Sequence, residues 1–170
     1  SLSKLLCDRI PSVDTIRFTN SGTEGTMMAI RAARAFTGRP KIAKFEGGYH
    51  GLMYGPLALC GFAPSFRDPF AAQLNPHVRF APWGSPDVDA LFTEDIGAVI
   101  VEPALGRGGL RFPPEGFLRA LREACDARSA LLARAPHVEL SAPLSWLDAM
   151  PSLYEVLSFS LDLFAPSVAA

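Results

Sequence analysis

The sequence predicts an α/β protein whose core is a mostly parallel sheet. Helix and strand signals alternate along the chain, and residues 97–101 form an uninterrupted apolar run. Alternating elements are typical of layered α/β domains. An apolar run of five residues that Glu102-Pro103 ends is typical of a parallel strand that helices cover on both faces. With 170 residues, the chain can form one domain or part of a larger one.

The best-marked helix covers residues 26–36. Ser21 and Glu24 stand at the spacing of a capping box, which predicts that the helix begins there, and Gly38 ends it. Small and apolar side chains recur within it at helical intervals. The preceding residues, 15–19, are rich in β-forming types and predict a short strand.

The remaining elements are predicted from their apolar residues and from the glycine and proline residues that bound them. Residues 41–45 predict a strand that runs into a glycine-rich turn at 46–51. Residues 55–86 contain much of the chain's proline, which predicts a long, turn-rich excursion to which the sequence assigns no role. After the loop at 106–109, apolar residues at three- and four-residue spacing predict an amphipathic helix over 115–132.

The character of the chain changes after about residue 132. All 14 glycines lie at or before Gly116, and no lysine follows Lys44. Residues 157–163 fit either an alternating strand or one face of a helix, and we favour a helix. The apolar residues of this tail would need a partner surface to bury them.

Composition excludes several classes of function. A net charge of −1 and a pI near 6.3 give no broad basic surface for nucleic acid or an anionic membrane. Cys7, Cys60 and Cys125 are far apart, which argues against a disulfide framework or a zinc site and fits a reducing cytoplasm. His77 and His137 have no companions at ligand spacing and receive no role. We expect a small molecule or another protein as the partner.

Two segments carry candidate chemistry. Ser21, Gly22 and Thr23 open a helix, where backbone amides and the helix dipole attract an anion such as a phosphate; alternatively Ser21 only caps the helix. Tyr49 and His50 follow a strand and could offer an aromatic face and a polar contact to a planar cofactor. The alternative is an ordinary turn with a half-buried tyrosine.

Glu102 is a third candidate, because it directly follows the apolar strand at 97–101. Ligands of open parallel sheets bind beyond the carboxyl ends of the strands. The side chain is therefore either a hydrogen-bond acceptor in a cleft or a strand-end carboxylate that faces water.

These segments, taken in order, resemble class III (fold type I) pyridoxal-phosphate aminotransferases. The resemblance is carried by residues 17–31, 35–39, 44–51 and 101–103, and it extends over roughly 13–132. Within the class, Thr26-Met27 after Ser-Gly-Thr-Glu is most similar to the glutamate-1-semialdehyde aminomutase branch.

The resemblance implies part of the family's mostly parallel-sheet large domain, with pyridoxal 5′-phosphate as the cofactor and a small amino or keto compound as the substrate. It implies that Gly22 and Thr23, with Ser21 beside them, hold the cofactor phosphate. Tyr49 would stack on the pyridine ring, with His50 next to it. Glu102 would lie near the ring. In the family, a homodimer completes each site across the subunit interface. We do not assume that a partial chain forms this dimer.

Departures from the family pattern limit what the resemblance implies. Arg107 stands where the aminomutase branch usually has asparagine, and Ala135 stands near the place of the family's aspartate, which keeps the pyridine nitrogen protonated. The lysine that bonds to the cofactor comes later in the family, and this chain has none after Lys44. Neither Lys41 nor Lys44 is assigned that role.

We therefore interpret residues 1–132 as a partial cofactor-binding large domain and 133–170 as a divergent tail, as a frameshift, gene fragment or altered splice would produce. The expected function is amino-group transfer by a transaminase or aminomutase, with this chain not competent alone. The alternatives are a non-catalytic remnant and a phosphate-binding module. The chain lacks GxGxxG and GxxxxGK[ST] motifs, which disfavours the module.

Overall fold

The computed structural model describes residues 1–10 and 13–134, together with the backbone of two further short strands. Two short 3-10 helices, Asp68–Gln73 and Asp89–Leu91, lie among the regular elements. The helices and strands, in chain order, are α1 Leu2–Arg9, β1 Arg17–Phe18, α2 Gly22–Thr37, β2 Lys41–Phe45, α3 Tyr54–Leu57, α4 Pro64–Arg67, β3 Val78–Ala81, β4 Ile96–Val101, α5 Phe117–Ala127, β5 Leu131–Arg134, β6 Glu139–Ser141 and β7 Ser158–Phe159.

A five-stranded sheet in the order β3-β2-β4-β5-β6 forms the centre of the fold. Its first four strands are parallel, and β6 pairs with β5 in the antiparallel sense. The α/β class and the parallel sheet are therefore confirmed. Because β2 and β4 are neighbours in register, with Lys44 opposite Ile100, the segments that follow them emerge side by side.

Helices cover both faces of the sheet. On one face, α5 packs Phe117 and Leu121 against Val99 and other strand residues. On the opposite face, α2 packs Ile30 and Ala33 against Ile42, Ala98 and Ile100. All six residues of β4 are buried, as expected of a strand between two helical layers. Side chains alternate between faces along a strand, so Lys44 projects on the same side as Ile42.

Helix α2 begins and ends where its sequence predicts. The Ser21 hydroxyl accepts a hydrogen bond from the Glu24 amide (3.2 Å), and the Glu24 carboxylate accepts one from the Asn20 amide (2.7 Å). Gly38 ends the helix in the left-handed conformation, with φ of +66°, which glycine adopts without steric cost.

The predicted helix over 115–132 is too long. The structure ends α5 at Ala127, and residues 131–134 form β5 instead. Ser129 has a φ of +50°, so the backbone leaves the helical path there, and the apolar run that follows pairs with β4. A short apolar segment fits a buried strand as well as a helix, and sheet pairing decides between them.

Two other segments differ from the sequence prediction. The favoured helix at 157–163 is wrong for Ser158–Phe159, which pair as β7 with β1 in the parallel sense; the rest of that segment lies outside the described residues. The excursion at 55–86 contributes the edge strand β3 to the sheet. Within the part of the chain that the structure describes, no helix is long and apolar enough to cross a membrane.

Candidate functional site

The helix start, residues 21–23, leaves room for a ligand. The amides of Gly22 and Thr23 belong to the first turn of α2, where no carbonyl of the helix can accept from them. A side chain added at Gly22 would meet no atom within 4 Å. The Ser21 hydroxyl serves as the helix cap, as the simpler sequence interpretation has it. The two amides and the positive end of the helix dipole remain available to an anion.

The tyrosine turn, residues 46–51, follows β2 and lies against the helix start. Gly51 has a φ of +109°, and a side chain there would collide with Thr23, whose Cβ is 2.9 Å from the position of the added atom. A residue without a side chain is therefore required at Gly51. This close approach brings Tyr49 and His50 next to the start of α2, so two segments that are separate in sequence form one surface.

Glu102 fixes the backbone of the tyrosine turn. Its carboxylate accepts a hydrogen bond from the Tyr49 amide (2.6 Å) and another from the Gly106 amide (2.9 Å). The residue is only 6% exposed, so the alternative in which it faces water is wrong. A buried carboxylate requires such partners, because an unpaired one is costly. Glu102 thereby joins the tyrosine turn to the loop that follows β4.

Lys44 lies beneath the same turn and is completely buried. Its Nζ donates a hydrogen bond to the Gly48 carbonyl (3.1 Å) and lies 5.3 Å from the centroid of the Phe80 ring. Burial lowers the pKa of this ammonium to about 7, although attraction by the side chains of Cys60 and Glu102 opposes the shift.

The sequence prediction assigned Lys44 no role, and the structure places it under the site. The sequence feature that could have indicated this burial is a lysine two residues after Ile42, and so on the same face of a strand whose adjacent residues are apolar.

His50 contributes a buried imidazole. A side chain added at Gly48 would lie 3.0 Å from Lys44 Nζ, 3.1 Å from His50 Nε2 and 3.4 Å from Glu102 Oε1, so three ionisable groups surround this glycine. Burial, together with the charge of Lys44, lowers the pKa of His50 well below its usual range. The ring is therefore neutral at pH 7. Among the described residues, its Nδ1 has no hydrogen-bond partner.

Arg107 covers the ring of Tyr49. Its guanidinium carbon lies 4.4 Å from the ring centroid, within the range of a cation–π contact. The loop that carries Arg107 is closed by paired hydrogen bonds between Leu105 and Arg111 (2.9 and 3.1 Å). A cavity of about 160 Å³ is found elsewhere, between α2, β2 and residues 54–78, and none of the six candidate residues lines it.

Comparisons with known proteins bear on this geometry. The sequence profile of the family described as "Aminotransferase class-III" matches residues 1–134. The chain belongs to this family. It is 45% identical to an acetylornithine aminotransferase and 44% identical to a glutamate-1-semialdehyde 2,1-aminomutase, both from Methanopyrus kandleri. These matches cover 76% and 77% of the chain and 33% of each relative, so the chain spans about a third of their length.

Solved structures agree. One solved structure, described as a transaminase with PLP bound, is 33% identical to this chain and has a TM-score of 0.63. The match covers 78% of this chain and 33% of the transaminase chain. The resemblance to class III aminotransferases of fold type I is thereby confirmed. The relatives include both aminotransferases and aminomutases, so the finer assignment to the aminomutase branch stays a prediction.

The residues present fit a phosphorylated planar cofactor in part. The helix start offers two first-turn amides and open space at Gly22 for a phosphate. The unpartnered Nδ1 of the buried His50 is a polar atom that a ligand could satisfy. The ring of Tyr49 is suitable for stacking, but Arg107 already contacts it. Ala135, near the expected place of the aspartate, lies outside the described residues.

Proposed function

We propose that this chain is the cofactor-binding part of an enzyme that transfers amino groups with pyridoxal 5′-phosphate, a transaminase or an aminomutase. The observation that carries the proposal is the convergence of three separate motifs at one edge of the sheet. Gly51 lies against Thr23, and the Tyr49 amide donates to Glu102. Family membership over residues 1–134 supports the same function.

Each residue has a defined task in this proposal. The amides of Gly22 and Thr23, with the dipole of α2, hold the phosphate, and the ring of Tyr49 contacts the pyridine ring. Glu102 holds the Tyr49 backbone, so it acts as a positioning residue. The neutral His50 imidazole can donate or accept one hydrogen bond at the site. When bound, the cofactor supplies the electron sink that amino-group transfer requires.

We further propose that the chain binds the cofactor without catalysing transfer alone. The sequence has three lysines, Lys4, Lys41 and Lys44, and none follows Lys44. The partial-domain boundary near residue 132 and the divergent tail belong to the same proposal. So does a cytoplasmic location, which the three free cysteines support. The substrate would be a small amino or keto compound.

Binding is tested with an analogue of pyridoxal phosphate that lacks the aldehyde, since it cannot react with surface amines. We expect saturable binding that inorganic phosphate displaces. Gly22→Asp should weaken it at least about tenfold, because a carboxylate there would repel the phosphate. The aspartate itself suits the first turn of a helix, so the fold should persist.

Gly22→Ala is the matched control, since a methyl group there meets no neighbour within 4 Å. Its affinity should stay within about threefold of the parent chain, which is under about 0.7 kcal/mol. Equal affinity of Gly22→Asp and Gly22→Ala would refute phosphate binding at the helix start.

Catalytic incompetence is tested separately with pyridoxal phosphate itself. The purified chain is mixed with the cofactor and reduced with borohydride, and the modified lysines are mapped by mass spectrometry. We expect no single lysine to be labelled stoichiometrically, and no turnover of an amino donor. Stoichiometric labelling of one lysine together with turnover would show that the chain is a complete catalyst.

A further inference from the structure

Arg107 contacts the ring of Tyr49, and hydrogen bonds hold the backbone on both sides of this contact. The Glu102 carboxylate binds the Tyr49 amide through one oxygen and the Gly106 amide, next to Arg107, through the other. Beyond Arg107, the Leu110 amide donates to the Gly106 carbonyl (3.2 Å) and closes the loop. The ring and the guanidinium are therefore carried by two backbone segments that one carboxylate joins.

The guanidinium of Arg107 lies over one face of the Tyr49 ring. Tyr49 is half-buried and Arg107 is exposed, so the guanidinium covers the ring from the solvent side. A planar guanidinium stacks on an aromatic face much as a second ring does. The same face cannot stack on a guanidinium and on a pyridine ring at once.

We propose that Arg107 competes with planar ligands for the face of Tyr49, so that this side chain sets the affinity of the site for the ring of its cofactor. The identity of the ligand in this inference rests on the proposed function, whereas the contact between Arg107 and Tyr49 is observed independently of it. Phosphate binding at the helix start is independent of Arg107, so the ring and the phosphate should respond differently to its removal.

The first experiment tests coverage of the ring without any cofactor. The full chain is nitrated with tetranitromethane, and modification of Tyr49 is compared with that of Tyr54, which is 58% exposed and serves as an internal reference. In Arg107→Asn, the ratio of Tyr49 to Tyr54 nitration should rise several-fold. Arg111→Asn removes the same charge from the same loop and should leave the ratio unchanged. An equal ratio in both variants would overturn the proposal.

The second experiment measures binding of the aldehyde-free analogue and of inorganic phosphate to the same proteins. Arg107→Asn should bind the analogue about 2- to 30-fold more tightly than Arg111→Asn, the range that a cation–π contact supports. Its affinity for inorganic phosphate should match that of Arg111→Asn. Weaker analogue binding by Arg107→Asn would mean that Arg107 holds the cofactor, and would overturn the proposal.

A third variant separates charge from coverage. Arg107→Lys keeps the positive charge but replaces the flat guanidinium by a compact ammonium, so it should resemble Arg107→Asn in nitration more than the parent chain. If no protein binds the analogue while nitration of Tyr49 still rises in Arg107→Asn, the proposed function fails and the covering role of Arg107 stands.

Discussion

The helix start and the tyrosine turn are adjacent, yet they are built in different ways. At the helix start, capping contacts join residues only a few positions apart, and Gly22 has free space around it. The tyrosine turn depends on distant residues: Glu102 binds its backbone, Lys44 lies beneath it and Arg107 covers its ring. The helix start is thus specified by local sequence, and the turn by tertiary contacts. Substitutions on the two sides should have different consequences.

The largest expected effect concerns the buried lysine under the turn. The folded-state pKa of Lys44 is lowered from 10.5 to about 7, so between these values the unfolded chain binds more protons than the folded one. The free energy of unfolding should therefore rise as the pH rises from 7 towards 10, by at most about 1.4 kcal/mol per pH unit. Below pH 7 the full penalty of the buried charge is present.

Lys44→Met removes this dependence. Measured by urea unfolding, the advantage of Lys44→Met over the parent chain should shrink by about 4 kcal/mol between pH 7 and pH 10. Lys41→Met is the matched control, because Lys41 lies on the same strand but forms a partly exposed ion pair with Asp95 (2.7 Å). A difference between Lys44→Met and the parent chain that does not vary with pH would contradict the lowered pKa.

The burial of Lys44 also shows where sequence reasoning ends. The capping box at Ser21, the strand at 41–45 and the apolar strand ending at Glu102 were all predicted, because each has a local pattern. Whether Glu102 faces water or a backbone amide depends on where the Tyr49 turn lies, which only the pairing of β2 with β4 decides.

The errors have the same origin. Residues 131–134 continue an apolar pattern that suits a helix, and they become β5 because β4 offers them a partner. The edge strand at 78–81 has little pattern of its own and was missed. The contact between Arg107 and Tyr49 joins residues 58 positions apart, so no local sequence pattern predicts it. The assignment of Ser21, Gly22, Thr23, Tyr49, His50 and Glu102 to cofactor binding stays a prediction.

The second prediction concerns the contact between the tyrosine turn and the helix start. Gly51→Ala forces a side chain into Thr23 at a φ of +109°, and we expect a loss of about 2 to 4 kcal/mol in the free energy of unfolding. Gly22→Ala, on the other side, should change stability by no more than about 1 kcal/mol, since alanine suits a helix. Chemical unfolding of both variants measures the difference. Equal losses would mean that the close approach of Gly51 to Thr23 does not hold the two segments together.

The smallest expected effect concerns Ser21, where capping and phosphate binding can be separated. The Ser21 hydroxyl accepts from the Glu24 amide, so Ser21→Ala should lower the free energy of unfolding by about 1 kcal/mol. Ser21→Thr retains a capping oxygen and should cost only a few tenths of that. In the proposed function the amides of Gly22 and Thr23 hold the anion, and on that proposal the affinity of Ser21→Ala for the aldehyde-free analogue should fall less than about threefold. A tenfold loss with unchanged stability would make Ser21 a phosphate ligand and not a cap.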